Sequence, residues 1–284
     1  MHRLCLNKNI NGPLSLAIGV FDGIHLGHQN IIKELLKDQT TGIFTFNPHP
    51  RPNVKLILPF SERLKTLKEL GVGSVFVSTK KDHVLGTSAE DFIEKVLLKE
   101  IKVNSIVIGQ DFRLGKNRAT SSDDFKLLCN KKGIQVKIIK DLQNNGKKLS
   151  STSIRQLITN GDFKGVETLL GRPHYIYGIV CKGKGLGQKI GFRTANIYPN
   201  QRLCLPSSGV YSTRLTIDKK EYKSVSFVGD KSRVIIETHV PGIELNMYGK
   251  KIAVSFINKL REIERFSSVE ELTKAIEQDV KNSV

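Results

Sequence analysis

Apolar and polar positions follow one another in two different ways along this chain. In the first half, short apolar runs typical of buried strands are separated by stretches with helical spacing. The predicted strands are 15–21, 42–46, 74–77, 105–108 and 135–139. The predicted helices are 28–36, 61–70 (capped by Ser61), 89–98 and 123–130. This order predicts a parallel sheet covered on both faces, which binds ligands at the carboxyl ends of its strands.

The pattern changes after about residue 170. Short β-like runs then follow one another with turn residues between them: 175–181, 209–217, 221–228, 233–240 and 251–257. They predict a small antiparallel barrel or sandwich. A helix over 268–281 closes the chain, with Ser268 and Glu271 in a capping-box arrangement. The boundary is placed near Gly171-Arg172-Pro173, which predicts domains 1–170 and 171–284.

Composition agrees with two domains of a globular protein. The chain has 284 residues, of which 39% are hydrophobic and 25% charged. The sequence contains neither a signal-peptide pattern nor a membrane-spanning apolar run, so a cytoplasmic protein without a membrane partner is expected. The four cysteines, Cys5, Cys129, Cys181 and Cys204, lie far apart, which favours reduced thiols over zinc ligands or disulfides.

The formal net charge of +18 leaves several partners open. A nucleic-acid binder would use such a charge, but here it is spread along the chain without a basic tail or aromatic-interleaved stripe. A chain with many solvated lysines would look the same. A binding site for polyanionic small molecules accounts for the positive charge more simply, and no nucleic-acid partner is expected.

Residues 21–28, FDGIHLGH, form the first candidate site. His25 and His28 lie between a predicted strand and a predicted helix, nearly one helical turn apart. Backbone N–H groups at a helix start bind anions, and Gly23 and Gly27 let the backbone approach a ligand closely. The alternatives are a metal pair, which lacks a third ligand nearby, and two histidines of a purely structural turn.

Two further stretches suit phosphate binding. In SSTSIR, Ser151 and Thr152 precede a helix and Arg155 lies in its first turn, although an ordinary helix cap would look the same. In GKGLGQKIG, glycines and lysines could wrap phosphates, although a flexible surface turn has the same composition. The candidate phosphate ligands of this second stretch are Gly183, Lys184, Gly185, Gly187 and Lys189.

The order of these motifs resembles a known family. HxGH followed by SSTxIR is similar to the nucleotidyltransferase superfamily. With TFNPHP at 45–50 and GQDFRLGKNRA at 109–119 between them, the first half resembles the bacterial bifunctional riboflavin kinase/FMN adenylyltransferases. The resemblance runs from about residue 12 to 280. It implies a Rossmann-like α/β nucleotidyltransferase domain, followed by a small antiparallel β-barrel kinase domain with a C-terminal helix.

The resemblance also implies roles in the first domain. His25 and His28 would contact the ATP phosphates in the transition state. Ser151, Thr152 and Arg155 would hold the departing pyrophosphate. Arg118 would line the ATP side and Asp111 the flavin side. His49, between two prolines, would shape the flavin pocket, or alternatively only pack against a strand end.

In the second domain, GFRTANI resembles the family's Gly-Phe-Pro-Thr-Ala-Asn stretch. It implies that Thr194 and Asn196 bind Mg²⁺ and the ATP phosphates. Glu237 in a Glu-x-His strand would be the base for the riboflavin hydroxyl, or else a solvent-facing strand residue. Two departures concern this half: Arg193 replaces proline, and the loop before Glu237 is short.

The expected activity is therefore phosphorylation of riboflavin to FMN and adenylylation of FMN to FAD, with ATP and Mg²⁺, by a monomer or weak oligomer. Two alternatives stay open at this point. The departures at Arg193 and the short loop would fit an adenylyltransferase with an impaired kinase half. The charge alone would fit a nucleic-acid-binding protein on this scaffold.

Overall fold

The structure is a computed structural model that describes residues 2–6, 14–38, 40–82, 84–144, 146–183, 187, 190–229, 234–243 and 246–283. Lys184, Gly185 and Lys189, which the sequence assigns to a phosphate loop, lie outside the described residues, as does most of the short loop before Glu237. The described helices include none that is long and apolar enough to cross a membrane. The chain divides into two compact units, Met1–Ser151 and Thr152–Val284.

The first unit is built on a six-stranded sheet. Its strands are β1 (His2–Cys5), β2 (Leu14–Ile18), β3 (Thr40–Phe46), β4 (Ser74–Ser78), β5 (Val103–Gly109) and β8 (Gln135–Ile139). Short hairpins add β6 (Arg113–Leu114) with β7 (Thr120–Ser121), and β9 (Gln143–Asn144) with β10 (Lys147–Lys148). The sheet order is β1-β4-β3-β2-β5-β8. All neighbours are parallel except the edge strand β1, which runs antiparallel to β4 and which the sequence patterns did not predict.

Helices cover the two faces of this sheet. Those that the structure describes are α1 (Leu26–Leu35), α2 (Phe60–Glu69), α3 (Ala89–Asp91, continued by a π-helical segment over Phe92–Ile101) and α4 (Ser122–Lys131). Side chains of α1 and α2 share one core cluster with Ala17 and Ile43, whereas those of α3 and α4 share the other with Leu16 and Phe44. Because side chains alternate along a strand, both faces are buried, and the predicted α/β fold class is confirmed.

Two local predictions in this unit need correction. The strand predicted over 15–21 ends at Ile18, because Phe21 already adopts a positive φ of 54° and turns the chain. Ser61 does not cap α2, since the helix begins at Phe60 after Pro59 and has no side-chain cap. Ser61 therefore lies inside the first turn.

The sheet order places the predicted site at the point where the chain changes direction. From β2 the chain first adds β3 and β4 on one side, and then returns to add β5 and β8 on the other. The chain therefore switches direction between β2 and β5. The loops that follow these two strands both leave the carboxyl edge of the sheet, one toward each side. Ligands bind at such positions in open parallel sheets.

The second unit is a curled antiparallel sheet of six strands. They are β11 (His174–Ile179), β12 (Thr194–Ile197), β13 (Gly209–Ile217), β14 (Lys220–Gly229), β15 (Ile235–His239) and β16 (Lys251–Arg261). The order is β11-β16-β13-β14-β15-β12. Cys181, just beyond β11, bridges to Asn196 on β12, and its N–H donates to the Asn196 carbonyl at 2.8 Å. This contact joins the two edges, as in the predicted barrel.

The described helices of the second unit are α5 (Ser151–Asn160), α6 (Phe163–Leu170) and α7 (Val269–Asn282). The first residue of α5, Ser151, still belongs to the first unit. Phe163 of α6 stacks on Phe256 of β16, with ring centroids 4.9 Å apart, and meets Tyr211 of β13 edge-on. This packing places α6 on the barrel, so the compact units divide at Ser151/Thr152, earlier than the change of pattern at 170/171. Half of the predicted capping box of α7 is present, since Ser268 Oγ accepts from the Glu271 N–H at 3.1 Å, whereas the Glu271 carboxylate accepts from the Ser267 N–H at 3.0 Å.

Candidate functional site

The turn between β2 and α1 has an unusual backbone. Phe21 and Ile24 adopt positive φ values of 54° and 44°, which are uncommon for any residue with a Cβ and least favourable for a β-branched one. Gly23 between them has φ 84°, and a Cβ there would lie 3.0 Å from the Ile57 side chain. Glycine at 23 therefore permits both the left-handed backbone and the close packing of the turn.

His25 and His28 lie together at the start of α1. His25 is the N-cap of the helix, and its Nδ1 accepts a hydrogen bond from the His28 backbone N–H at 3.3 Å. The two imidazole rings stack with centroids 3.6 Å apart. Gly27 leaves room for this arrangement, because a Cβ there would lie 3.1 Å from the His25 ring.

The surroundings of His28 favour its neutral form. Burial of the ring, then the neighbouring His25 and the charge of Arg63, hold the pKa of His28 well below its usual range. Its Nδ1 is shielded from solvent and has no hydrogen-bond partner among the described residues. At neutral pH, His28 can therefore offer an uncharged imidazole to an anion.

The start of α5 meets the same turn. The Ser151 hydroxyl donates to the Asp22 carbonyl at 2.9 Å, and the Leu149 side chain lies 3.8 Å from the position of a Cβ on Gly27. Ser151 therefore contacts the turn that carries His25 and His28. Thr152 and Arg155 follow on α5 in the second unit, where Thr152 is exposed and Arg155 half-buried.

The other predicted residues of this half lie on separate loops. His49 follows β3 and is held in its own turn, since its Nδ1 accepts from the Arg51 N–H at 3.0 Å. Asp111 follows β5, is exposed and forms an ion pair with Lys148. Arg118 is exposed in the turn between β6 and β7, with φ 58°. His49 and Asp111 therefore lie beyond the ends of two strands that flank β2.

Two residues near this turn were missed by sequence reasoning. Asp22 accepts hydrogen bonds from the Ile57 and Leu58 N–H groups, and Arg63 of α2 donates to the Val20 and Phe46 carbonyls. Asp22 belongs to the quoted motif, but nothing in the motif shows that its carboxylate is buried. Arg63 lies in a helix with ordinary amphipathic spacing, so its burial had no sequence signal.

The candidate kinase residues come together on two paired strands of the barrel. Asn196 of β12 lies directly opposite Glu237 of β15, and Thr194 lies opposite His239. Directly opposite residues of antiparallel strands project to the same face, so all four share one face. The Thr194 hydroxyl donates to Asn196 Oδ1 at 3.4 Å. The opposite face carries Ala195 and Thr238, which are buried.

Two glycines of the candidate phosphate loop lie next to this face. A Cβ on Gly183 would overlap the Asn196 amide group, whose Cγ would be 2.8 Å away. The Gly187 carbonyl accepts from the Phe192 N–H at 2.8 Å, and a Cβ on Gly187 would collide with the Phe192 carbonyl. Both positions thus require glycine for packing, and Gly183 passes directly over Asn196.

Arg193, which stands where the family pattern has proline, is restrained by a neighbouring side chain. The Nδ1 atom of His239 lies 2.8 Å from the Arg193 carbonyl oxygen, within hydrogen-bond distance. The ring of His239 also meets Phe192 edge-on, with centroids 5.3 Å apart. The peptide that precedes Thr194 is therefore fixed by a hydrogen bond. Among the described residues, no group of three or more His, Cys, Asp or Glu could hold a metal ion.

Family models assign the two halves separately. A model for FAD synthetase matches residues 7–153, and a model for riboflavin kinase matches residues 170–284. The first match contains the turn of His25 and His28, and the second contains the paired strands of Asn196 and Glu237. The chain is thus a transferase with two catalytic parts.

Relatives of the whole chain combine the same two parts. The bifunctional riboflavin kinase/FMN adenylyltransferase of Bacillus subtilis (strain 168) is 31% identical, over 95% of this chain and 91% of its own. The protein of that name from Escherichia coli (strain K12) is 30% identical, over 93% and 90%. A crystal structure described as a macrolide-efflux protein from Streptococcus pneumoniae is 27% identical, with a TM-score of 0.87 over 97% of this chain and 95% of that one. This chain belongs to the family of bifunctional riboflavin kinase/FMN adenylyltransferases.

Proposed function

We propose that this protein makes FMN and FAD in two steps. Residues 171–284 phosphorylate riboflavin with ATP, and residues 1–170 transfer the adenylyl group of a second ATP to FMN with release of pyrophosphate. The observation that carries this proposal is that each half gathers its own reactive side chains. His25, His28 and Ser151 meet at one turn, and Thr194, Asn196 and Glu237 share one barrel face.

For adenylyl transfer, the attacking group is a phosphate oxygen of FMN and the electrophile is the α-phosphorus of ATP. The phosphate is already ionised, so the reaction needs positioning and charge neutralisation more than a strong base. His25 and His28 at the start of α1 supply donors toward the ATP phosphates, together with Gly23 and Gly27 of the turn. Ser151, Thr152 and Arg155 bind the leaving pyrophosphate in this proposal. Arg118 adds charge on the ATP side.

The flavin side of this site is assigned to two loops. Asp111 follows β5 and His49 follows β3, and both strands adjoin β2 in the sheet. We assign both residues to the FMN pocket. Asp111 forms an ion pair with Lys148, whose ammonium group also pairs with Asp141 at 2.6 Å.

For phosphorylation, the attacking group is a hydroxyl of riboflavin, which must lose a proton as it attacks the γ-phosphorus. A carboxylate within reach can accept that proton. Glu237 is the candidate base because it lies opposite Asn196, beside the residues assigned to ATP. The glycines and lysines of the phosphate loop, Gly183, Lys184, Gly185, Gly187 and Lys189, are assigned to the ATP phosphates.

The residues present fit Mg²⁺. The Thr194 hydroxyl and the Asn196 amide oxygen are hard oxygen ligands on neighbouring positions of one strand face, 3.4 Å apart. We assign Mg²⁺ to these two residues together with ATP. When bound, the ion would neutralise phosphate charge.

A purified-protein assay tests the whole proposal. Incubation with riboflavin, ATP and Mg²⁺, followed by chromatography of the flavins, should give FMN first and then FAD. If FAD is formed only from supplied FMN, the adenylyltransferase is the one active half. No flavin turnover, together with salt-sensitive binding to a random DNA duplex, would favour the nucleic-acid alternative instead.

The cytoplasmic location, the monomeric or weakly oligomeric state and the lack of a nucleic-acid partner stay predictions of the sequence. Cell fractionation, light scattering of the purified chain and the same duplex-binding assay test them one by one.

A further inference from the structure

A buried acid and a buried base lie beside the turn that carries His25 and His28. Asp22 and Arg63 are each only 2% exposed. Charged side chains are seldom so buried unless specific partners compensate for the lost hydration. The adenylyl-transfer steps described above use neither residue, so their burial calls for another explanation.

Asp22 connects three segments of the first unit. Its carboxylate accepts hydrogen bonds from the Ile57 N–H at 3.0 Å and from the Leu58 N–H at 3.3 Å. Its own carbonyl accepts from the Ser151 hydroxyl at 2.9 Å. The turn before α1, the segment before α2 and the start of α5 are therefore tied to one residue.

Arg63 connects the ends of two strands. Its Nη1 donates to the carbonyl of Val20, just beyond β2, and its Nη2 donates to the carbonyl of Phe46 at 3.2 Å, at the end of β3. A planar fork can reach two carbonyls in this way, whereas a lysine ammonium acts as a single point charge. Arg63 thus fixes the carboxyl ends of two neighbouring parallel strands.

The turn needs such restraints because its backbone is unfavourable on its own. Phe21 and Ile24 hold positive φ values on either side of Asp22 and Gly23. Residues in these regions persist only where their surroundings determine the conformation. Arg63 donates to the carbonyl of Val20, immediately before Phe21. Asp22 lies between Phe21 and Ile24 in the chain, and its carboxylate accepts from the Ile57 N–H.

We propose that Asp22 and Arg63 form a buried clamp, and that this clamp positions the stacked pair His25 and His28 for adenylyl transfer. Their burial keeps both side chains from substrate, so they are positioning residues. The inference rests on the proposed adenylyltransferase function of this unit. The positive charge of Arg63 also opposes protonation of His28. The other ionisable groups that interact with these two side chains are His25, next to His28, and Asp22, next to Arg63.

Kinetics of clamp variants test the proposal. Arg63→Lys keeps the charge but loses the fork, and Asp22→Ala removes the carboxylate. Each should lower kcat for FAD formation from FMN roughly 10- to 100-fold, with KM for ATP and FMN changed less than about threefold, because geometry and not binding is lost. Asp22→Asn keeps an oxygen acceptor for the Ile57 N–H and should recover part of the rate. FMN formation from riboflavin should stay at the wild-type rate in all three.

Ser15→Ala is the matched control. Ser15 is buried at the opposite end of β2, where its hydroxyl bonds to that of Ser105. This variant loses a buried hydrogen bond in the same sheet, so it should lower stability and leave kcat for FAD formation unchanged. A fall in kcat equal to that of the clamp variants would overturn the proposal, since any weakening of the sheet would then suffice.

A second readout follows His28 directly. In Arg63→Met, NMR titration of the His28 ring should give a higher pKa than in the wild type. Wild-type kcat in folded Arg63→Lys and Asp22→Ala, or an unchanged His28 titration, would overturn the clamp. If Arg63→Lys fails to fold, kcat of Asp22→Ala decides the question, with Asp22→Asn as the rescue variant. A wild-type protein that makes no FAD would instead refute the proposed function.

Discussion

The imidazole rings of His25 and His28 stack face to face, with centroids 3.6 Å apart and planes 18° from parallel. Two positive charges at this distance would repel strongly, so the pair favours at most one protonated ring. Burial and Arg63 add to this effect at His28. A pair of rings at the start of a helix, with one of them neutral, can donate to phosphate without binding it as tightly as two cations would.

The first prediction concerns His28. His28→Ala should lower FAD formation from FMN by roughly 100-fold or more, because the proposed donor to the ATP phosphates is lost. FMN formation from riboflavin should remain near the wild-type rate, since its candidate residues lie in the other compact unit. Chromatographic assays of both products from one preparation measure this. Equal loss of both activities would contradict separate sites.

The second prediction concerns Glu237. Glu237→Gln should reduce riboflavin phosphorylation by roughly 100-fold or more, because the amide cannot accept the hydroxyl proton. Adenylylation of supplied FMN should be unaffected. Glu221→Gln is the control, since Glu221 is an exposed glutamate of the same barrel that pairs with Arg214 at 2.9 Å. A normal kinase rate in Glu237→Gln would remove Glu237 as the base.

The third prediction concerns Gly183. Gly183→Ala should raise KM for ATP in the kinase reaction by about tenfold, because the added methyl group would overlap the Asn196 amide and displace it. Gly86→Ala is the matched control, since a Cβ at Gly86 meets nothing within 4 Å. Kinase kinetics at varied ATP measure both variants. An unchanged KM in Gly183→Ala would show that the loop does not depend on contact with Asn196.

The class of each sheet, parallel in the first half and antiparallel in the second, could be predicted from periodicity, because buried faces impose it on the sequence. Alternation along β15 buries Ile236 and Thr238 on one face and leaves Glu237 on the other, with Asn196. The strand β12 has only four residues, and β1 lies at a sheet edge, so neither has a pattern long enough to recognise.

The clamp could not be predicted, for a different reason. Arg63 is held in the interior by hydrogen bonds to the carbonyls of Val20 and Phe46, which lie 43 and 17 residues away in the chain. The apolar spacing of a helix does not indicate such long-range hydrogen bonds. The position of α6 has a similar cause. Its apolar residues indicate that it packs on something, but only the structure shows Phe163 against Phe256 of the barrel.

The fourth prediction concerns acid stability and His174. This histidine is 1% exposed, and neither ring nitrogen has a hydrogen-bond partner among the described residues. Burial and the nearby Arg172 lower the pKa of His174 to about 3, from 6.5 when unfolded. The unfolded chain therefore binds the proton more readily. Stability from the neutral ring is complete above about pH 6.5 and falls as the pH drops toward 3, by about 2 kcal/mol at pH 5.

His174→Phe should remove this dependence. Urea unfolding at pH 7 and pH 5, followed by hydrogen exchange in peptides of β11 and β16, measures the loss in the barrel. The variant should lose about 2 kcal/mol less than the wild type between these pH values. The pKa of His28 is also lowered, but His28 lies in the other unit and is present in both proteins. The difference in pH dependence between the wild type and His174→Phe therefore reports on His174 alone. Equal losses would mean that folding leaves the pKa of His174 unchanged.

The last prediction concerns the C-terminal helix. Arg261 of β16 binds Asp279 of α7 through two hydrogen bonds, Nε to Oδ1 at 3.0 Å and Nη2 to Oδ2 at 2.8 Å. Asp279 is 5% exposed, so Asp279→Ala leaves a mostly buried guanidinium without its carboxylate. It should cost about 3 kcal/mol in the free energy of unfolding of the barrel. Glu221→Ala breaks an exposed pair in the same sheet and should cost about 0.5 kcal/mol or less. Urea denaturation of both variants compares them, and similar costs would show that burial does not strengthen the Arg261–Asp279 pair.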